Sequence, residues 1–182
     1  LDAMLNALGQ VIVPTLADSC RVFVPREVPA GRTTHLVEVD RAAAVFRPGL
    51  PPSAPEGLVV YHPDTALARA ILERQPSISV FPRGEPPRGI APQRVLDWLR
   101  AVGANCLIAI PVIVDGAVAA AAAITVCDDR PPPDATDRAL IAEVFEHAHD
   151  ALSSAIAFHR NQVIASAMQH IHLTEPPEVP GL

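Results

Sequence analysis

A chain of 182 residues that is 49% apolar holds enough material for one domain with extensions, and an aromatic content of 4% leaves its core to Val, Ile, Leu and Ala. The 20 acidic residues outnumber the 14 basic ones, all arginine, for a formal charge of −6, which excludes a nucleic-acid-binding surface. No apolar run reaches the ~18 residues of a membrane span and the start lacks a signal-peptide layout, so the chain reads as soluble and cytoplasmic.

Over residues 1–17 the apolar positions Leu1, Met4/Leu5, Leu8, Val11/Ile12 and Leu16 recur at spacings of three and four, which predicts a helix with one buried stripe. Pro14 kinks this helix or ends its first section. Residues 20–24 (CRVFV) read as a short strand closed by Pro25. Residues 34–43 read as a second, with Leu36, Glu38 and Asp40 on a wetter face opposite Val37, Val39 and Arg41. Ala30-Gly31 makes the connection hairpin-like.

Residues 48–57 (PGLPPSAPEG) hold neither a helix nor a central strand and form a loop. LVVYH is a short extended piece, and Pro63-Asp64 opens a helix to about Arg74 with Leu67, Ala70 and Ile71 inward. Pro76 stops it, and residues 77–81 (SISVF) are a further strand. Residues 82–92 form a second Pro-rich loop carrying Arg83, Glu85 and Arg88. PQRVLDWLRAVGA then predicts a helix with Val95, Leu96, Trp98, Leu99 and Val102 inside and Gly103 as its stop.

The stretch from Cys106 to Cys127 organises the rest. CLIAIPVIV and AVAAAAAITVC flank Asp115-Gly116, the signature of a hairpin with a type I′ turn. Pairing Val114 with Ala117 makes partner numbers sum to 231, placing Cys106, Ile108, Ile110 and Val112 beside Ala119, Ala121, Ala123 and Thr125. Leu107, Ala109, Pro111 and Ile113 share the other face with Val118, Ala120, Ala122, Ile124 and Val126. Neither face carries a charge, so both must be covered, and the row of alanines calls for a bulky neighbour such as a helix. Cys106 and Cys127 fall on one face in this register. With Cys20 they make an odd count without CxxC spacing, which fits small buried hydrophobes; a redox pair would require exposed thiols.

After the turn cluster DDRPPP, Asp134 or Thr136 caps the longest helix, expected over about 137–172. Ile141, Phe145, Ala148, Leu152, Ala155 and His159 keep an alternating four-three spacing, with Leu140, Val144, His147 and Ala151 as a second stripe. At 1.5 Å per residue such a helix is about 50 Å long and overhangs a domain of this size. Ile156, Val163, Ala167 and His170 continue a 3.5-like period, which suits a partner helix from a second copy.

The order helix, two strands, helix, strand, helix, apolar hairpin, long helix is similar to that of GAF domains. NCLIAIPVIVDGAVAAAAAITV resembles the family's hairpin core, with Pro111 and Gly116 at matching positions, and DATDRALIAEVFEHAHDALSSA resembles its closing helix. VIASAMQHIHLTEPPEVPGL resembles the linker before the catalytic domain of bacterial sporulation-type, metal-dependent serine/threonine phosphatases, with His170, His172 and Thr174 departing from the usual arginines, leucines and leading proline. The resemblance implies an α+β fold: a central antiparallel sheet with terminal helices on one face, and loops and short helices over a pocket on the other. It implies a sensory domain over 1–160 and a signalling-helix overhang and linker over 161–182.

The expected function is a non-catalytic sensory or regulatory module. It binds a small molecule, dimerises through its terminal helices, or does both, and transmits to a C-terminal phosphatase domain. A cysteine-based reductase and a haem or redox sensor on the same fold are the alternatives. No catalytic motif is present, whether GxSxG, HExxH, P-loop or GxGxxG. Asp128-Asp129 and Asp134-Asp137 read as a solvated turn with helix capping before they read as a cation site, and no metal site or cofactor is assigned. His147 and His149, two apart on a helix, diverge too far to chelate one ion. The pocket that the resemblance implies falls near Phe46, Val60, Tyr61, His62, Phe81, Val95, Trp98 and Leu99. Its candidate ligand-binding residues are Phe46, Tyr61, His62, Arg69, Phe81 and Trp98, with Tyr61, His62 and Arg69 as polar anchors; otherwise the aromatics fill the space themselves.

Overall fold

Asp115 and Gly116 both take positive φ, 50° and 75°, the backbone a two-residue type I′ turn requires. This turn joins the two longest strands of the computed structural model, which describes residues 2–26, 36–53, 58–147 and 153–154. Within these the order is α1 (Asp2–Ile12), β1 (Ser19–Pro25), β2 (Val37–Phe46), β3 (Leu58–Tyr61), α2 (Ala66–Glu73), β4 (Ser77–Val80), α3 (Gln93–Ala101), β5 (Ala104–Val114), β6 (Ala117–Cys127) and α4 (Ala135–His147). The strands form one six-stranded sheet in the order β3-β2-β1-β6-β5-β4, and every pairing is antiparallel.

The sheet is walled on both sides, as its uncharged central hairpin demands. On one face α1 and α4 bring Leu5, Leu8, Ile12, Ile141 and Phe145 onto Cys20, Val22, Ile108 and Ile124. On the other α2 and α3 bring Leu67, Ala70, Trp98 and Leu99 onto Phe23, Leu107, Ala121 and Ala123. Small residues set the spacing of these layers. A Cβ on Gly9 of α1 would stand 2.6 Å from Cγ2 of Val45 on β2, so only glycine lets the helix lie this close.

Two irregularities correct the expected hairpin register. From the turn, Val114 faces Ala117 and Ile113 faces Val118, but Val112 faces Ala120, leaving Ala119 as an extra residue. Past this bulge the even-numbered residues of both strands share the α1/α4 face, so Ala121 and Ala123 lie opposite Pro111 and Ala109, not beside Ile110 and Ile108. A second irregularity at Asn105 pairs Ala104 with Cys127. Cys106 therefore belongs to the α1/α4 side and Cys127 to the α2/α3 side, so the two thiols do not share a face.

Element ends also move. α1 stops at Ile12, before Pro14, and β2 runs on to Phe46. α2 begins at Ala66 and ends where Arg74 turns left-handed (φ 56°). α4 begins at Ala135, held by a reciprocal cap: the Asp137 N–H donates to Asp134 Oδ1 at 2.9 Å and the Asp134 N–H to Asp137 Oδ2 at 3.3 Å. Residues 153–154 are again helical; the rest of the expected helix to 172, its overhang, the linker over 161–182 and the Ala30-Gly31 connection lie outside the described residues. The hairpin outreaches its neighbours, since β4 pairs with β5 only up to Ala109 and β1 reaches β6 only as far as Ala121. Pro111 occupies this overhang, where no rung to β4 needs its missing N–H.

Candidate functional site

β1 lies in the middle of the sheet with both faces covered, yet it carries an arginine. Arg21 faces the α2/α3 side, opposite Ala44 of β2 and Ala123 of β6, and these small side chains leave room for the guanidinium. The residue is 3% exposed. Its Nη1 and Nη2 reach the hydroxyls of Ser53 and Thr125 at 3.4 Å each, both long for hydrogen bonds, and its Nε has no partner. The guanidinium carbon sits 4.9 Å from the centroid of the Trp98 ring. Burial is the main cause that pushes Arg21 below the ordinary guanidinium value.

A β-bulge brings a second arginine to the same side. Val22 faces Ala43 but Phe23 faces Arg41, so Ala42 is the extra residue. Under regular pairing Ala42 and Asp40 would face the α2/α3 side; with the bulge Arg41, Val39 and Val37 do. Asp40 instead holds Arg26 in a bidentate pair at 2.5 and 3.0 Å. Arg41 Nη1 donates to the carbonyl of Ser53 at 3.2 Å, and the Trp98 Nε1–H donates to the carbonyl of Pro51 at 2.9 Å. These bonds draw the first Pro-rich loop down over the sheet.

Between loop, sheet and α3 lies a cleft of about 40 Å³ lined by Arg21, Phe23, Arg41, Ser53, Val59, Tyr61, Pro92, Arg94 and Val95. A smaller gap of about 10 Å³ shares Arg21, Tyr61 and Val95 and is otherwise apolar, walled by Leu67, Ile90, Ala91, Leu107, Ala109 and Ala123. Among the described residues neither lining contains an Asp or Glu. Tyr61 packs edge-on against Phe23 with ring centroids 6.0 Å apart.

The six candidate ligand-binding residues are not brought together. Tyr61 lines both spaces. Phe46 and Trp98 pack edge-to-face at 6.0 Å, and Phe81 is buried in the α2/α3-side core, so these three largely occupy volume themselves. His62 is exposed, with Nδ1 3.2 Å from Asp64 Oδ2, and lines an outer surface hollow. Arg69 points to another hollow and donates to Ser77 Oγ at 3.1 Å. The residues that sequence reasoning passed over are Arg21, Arg41, Ser53 and Arg94. The available signal was Arg21 itself, a charge inside an otherwise apolar strand.

Asp128 and Asp129 are engaged by arginines, Asp128 by Arg47 and Arg83 and Asp129 by Arg83 at 2.6 Å. They tie the ends of the sheet to Arg47 and Arg83, and no group of three or more potential metal ligands occurs among the described residues.

No protein-family model matches the chain, and no curated protein matches it. Solved structures do. The GAF domain of a two-component sensor histidine kinase from Bacillus halodurans aligns with a TM-score of 0.62 over 87% of this chain and 97% of its own, at 11% identity. The GAF domain/HD domain protein from Geobacter sulfurreducens aligns with a TM-score of 0.60 over 86% of this chain and 94% of its own, at 19% identity. The fold is GAF-like. A type II free methionine-R-sulfoxide reductase from Thermoplasma acidophilum has the same GAF-like arrangement (TM-score 0.57, 12% identity, covering 86% of this chain and 91% of that one). At these identities the likeness carries the fold alone.

Thiol chemistry is a poor fit to this GAF-like domain. Cys20, Cys106 and Cys127 are all buried, and burial pushes Cys20 and Cys127 up to about 12 and Cys106 up to about 11. In the native protein all three are expected to react with Ellman's reagent no faster than the protein unfolds. One rapidly titrating thiol would reinstate the reductase reading.

Proposed function

We propose that this chain is a sensory or regulatory GAF-like module that binds a small molecule in the cleft between sheet and α3. We further propose that it acts on a C-terminal serine/threonine phosphatase domain, with residues 1–160 as sensor and 161–182 as signalling helix and linker. The carrying observation is the cleft over Arg21 and Tyr61, on the face of the sheet opposite α1 and α4. A ligand that prefers one arrangement of loop and sheet shifts the terminal helices by no more than its difference in affinity for the two states. The phosphatase half rests on the resemblance of residues 163–182 to such linkers, and dimerisation on the heptad-like spacing beyond α4.

Native mass spectrometry of the purified protein tests the sensor half: a small molecule that travels with the chain, or one that binds from a metabolite panel, is the expected result. A chain that stays bare throughout overturns it. The output half is tested by the coding sequence after Leu182, expected to continue into a metal-dependent phosphatase domain; any other domain there overturns it. Light scattering is expected to give the mass of a homodimer, and a monomer at the highest workable concentration defeats that part.

A further inference from the structure

The cleft asks for one kind of ligand. Arg21 is a buried cation whose Nε has no partner and whose other nitrogens reach only hydroxyls at 3.4 Å. Arg94 lines the same space, and among the described residues no carboxylate does. Charge is seldom buried without compensation, because removing a guanidinium from water costs far more than contacts with two hydroxyls and one ring return. A strand position between two covered faces is ordinarily filled by an apolar side chain, so this arginine is anomalous unless a counter-ion completes it.

We propose that the cleft is the seat of a small carboxylate with a short alkyl tail, its carboxylate on Arg21 and its tail in the apolar gap beside Tyr61. This rests on the reading of the cleft as a ligand site and adds the chemical class. A guanidinium edge matches a carboxylate in two parallel hydrogen bonds, which a neutral group does not supply. Size narrows the choice. About 40 Å³ corresponds to roughly three water positions at ~10–15 Å³ each, room for an oxyanion head but not for a nucleotide or tetrapyrrole. The adjoining gap of about 10 Å³, roughly one water position, is bounded by Leu67, Ile90, Leu107 and Ala123 beside Arg21 and Tyr61, and its mainly apolar wall suits the end of an alkyl tail. The Trp98 ring face 4.9 Å from the Arg21 guanidinium carbon restrains the side chain before the ligand arrives, and Ser53 ties the covering loop to both Arg21 and Arg41. Ligand binding at Arg21 is thereby coupled to the loop.

The test is thermal unfolding and calorimetric titration of the purified chain at matched ionic strength, with butyrate, acetate, inorganic phosphate, butyramide and butylamine as probes. Butyrate is expected to raise Tm saturably, acetate to bind at least several-fold more weakly, and butyramide and butylamine to do nothing. Arg21→Met is expected to abolish the butyrate shift while remaining folded by circular dichroism, and Arg21→Lys to weaken binding about tenfold or more through loss of the bidentate edge. Phosphate binding as tightly as butyrate overturns the alkyl-tail assignment in favour of a bare oxyanion. An undiminished butyrate shift in Arg21→Met, or butyramide matching butyrate, overturns the carboxylate assignment altogether. If neutral compounds bind in a manner that Tyr61→Ala abolishes while no anion binds, the sensor reading stands and only this inference falls; if no probe and no panel metabolite binds, both fall.

Discussion

Replacing Asp18 with alanine is expected to destabilise the protein by about 2–3 kcal/mol, the cost of leaving the buried Cys127 N–H unmatched and two part-exposed arginines without their carboxylate. Asp18 is 2% exposed and sits where α1 hands over to β1. Its Oδ2 accepts the Cys127 N–H at 2.8 Å, and its Oδ1 lies 2.8 Å from Arg47 Nε and 3.6 Å from Arg130 Nε. Those arginines reach onward, Arg47 to Asp128 and Arg130 to the carbonyls of Pro14 and Thr15 at 2.7 and 2.8 Å. One carboxylate thus holds the end of β6, the segment after β2 and the α1–β1 connection together. Denaturant unfolding of Asp18→Ala against the parent measures the loss; a value under about 1 kcal/mol would show that water or rearrangement replaces the carboxylate. Asp18→Asn keeps an acceptor for Cys127 while removing the charge, and is expected to fall between the two.

The opposite sign is expected at Arg21. Without added ligand, Arg21→Met is expected to raise unfolding stability by about 1–4 kcal/mol, as when buried ionic groups give way to apolar side chains of similar length. The two predictions differ because of the partners. Asp18 lies against two arginines and a backbone N–H, whereas Arg21 reaches two distant hydroxyls and an indole face. Chemical denaturation of both variants in one buffer decides it. A destabilised Arg21→Met would mean that the Trp98 stack and the hydroxyl contacts already offset the burial of the charge.

Much of the fold was legible because its strongest signals are local. Asp115-Gly116, the apolar runs beside it, the 3.6-residue spacing of α1 and the Asp134 cap each depend on a few adjacent residues, and each holds in the structure. Register was not legible, because Ala119 and Asn105 are extra residues within runs that look regular, and each extra residue changes which side chains share a face. The same limit hid the cleft. CRVFV was readable as a strand, but only the sheet order makes β1 central and therefore makes Arg21 buried. The alternation groups Arg41 with Val37 and Val39, yet that their side of the strand looks inward toward Arg21 is set by pairing with β1, which no local pattern encodes. His62 and Arg69 stand out in the sequence as polar residues near a helix start, whereas their exposure is decided by how α2 settles on the sheet.

The overhanging hairpin bears on whether this sheet can grow by strand addition. The borders of the sheet, β3 and β4, are four residues long each, and the freer rim of β5 beyond Ala109 is interrupted by Pro111. A stray extended chain finds few rungs at either border and a missing donor along the longer rim, so accretion by strand addition is poorly templated. A growing sheet is thereby closed off as a route to association.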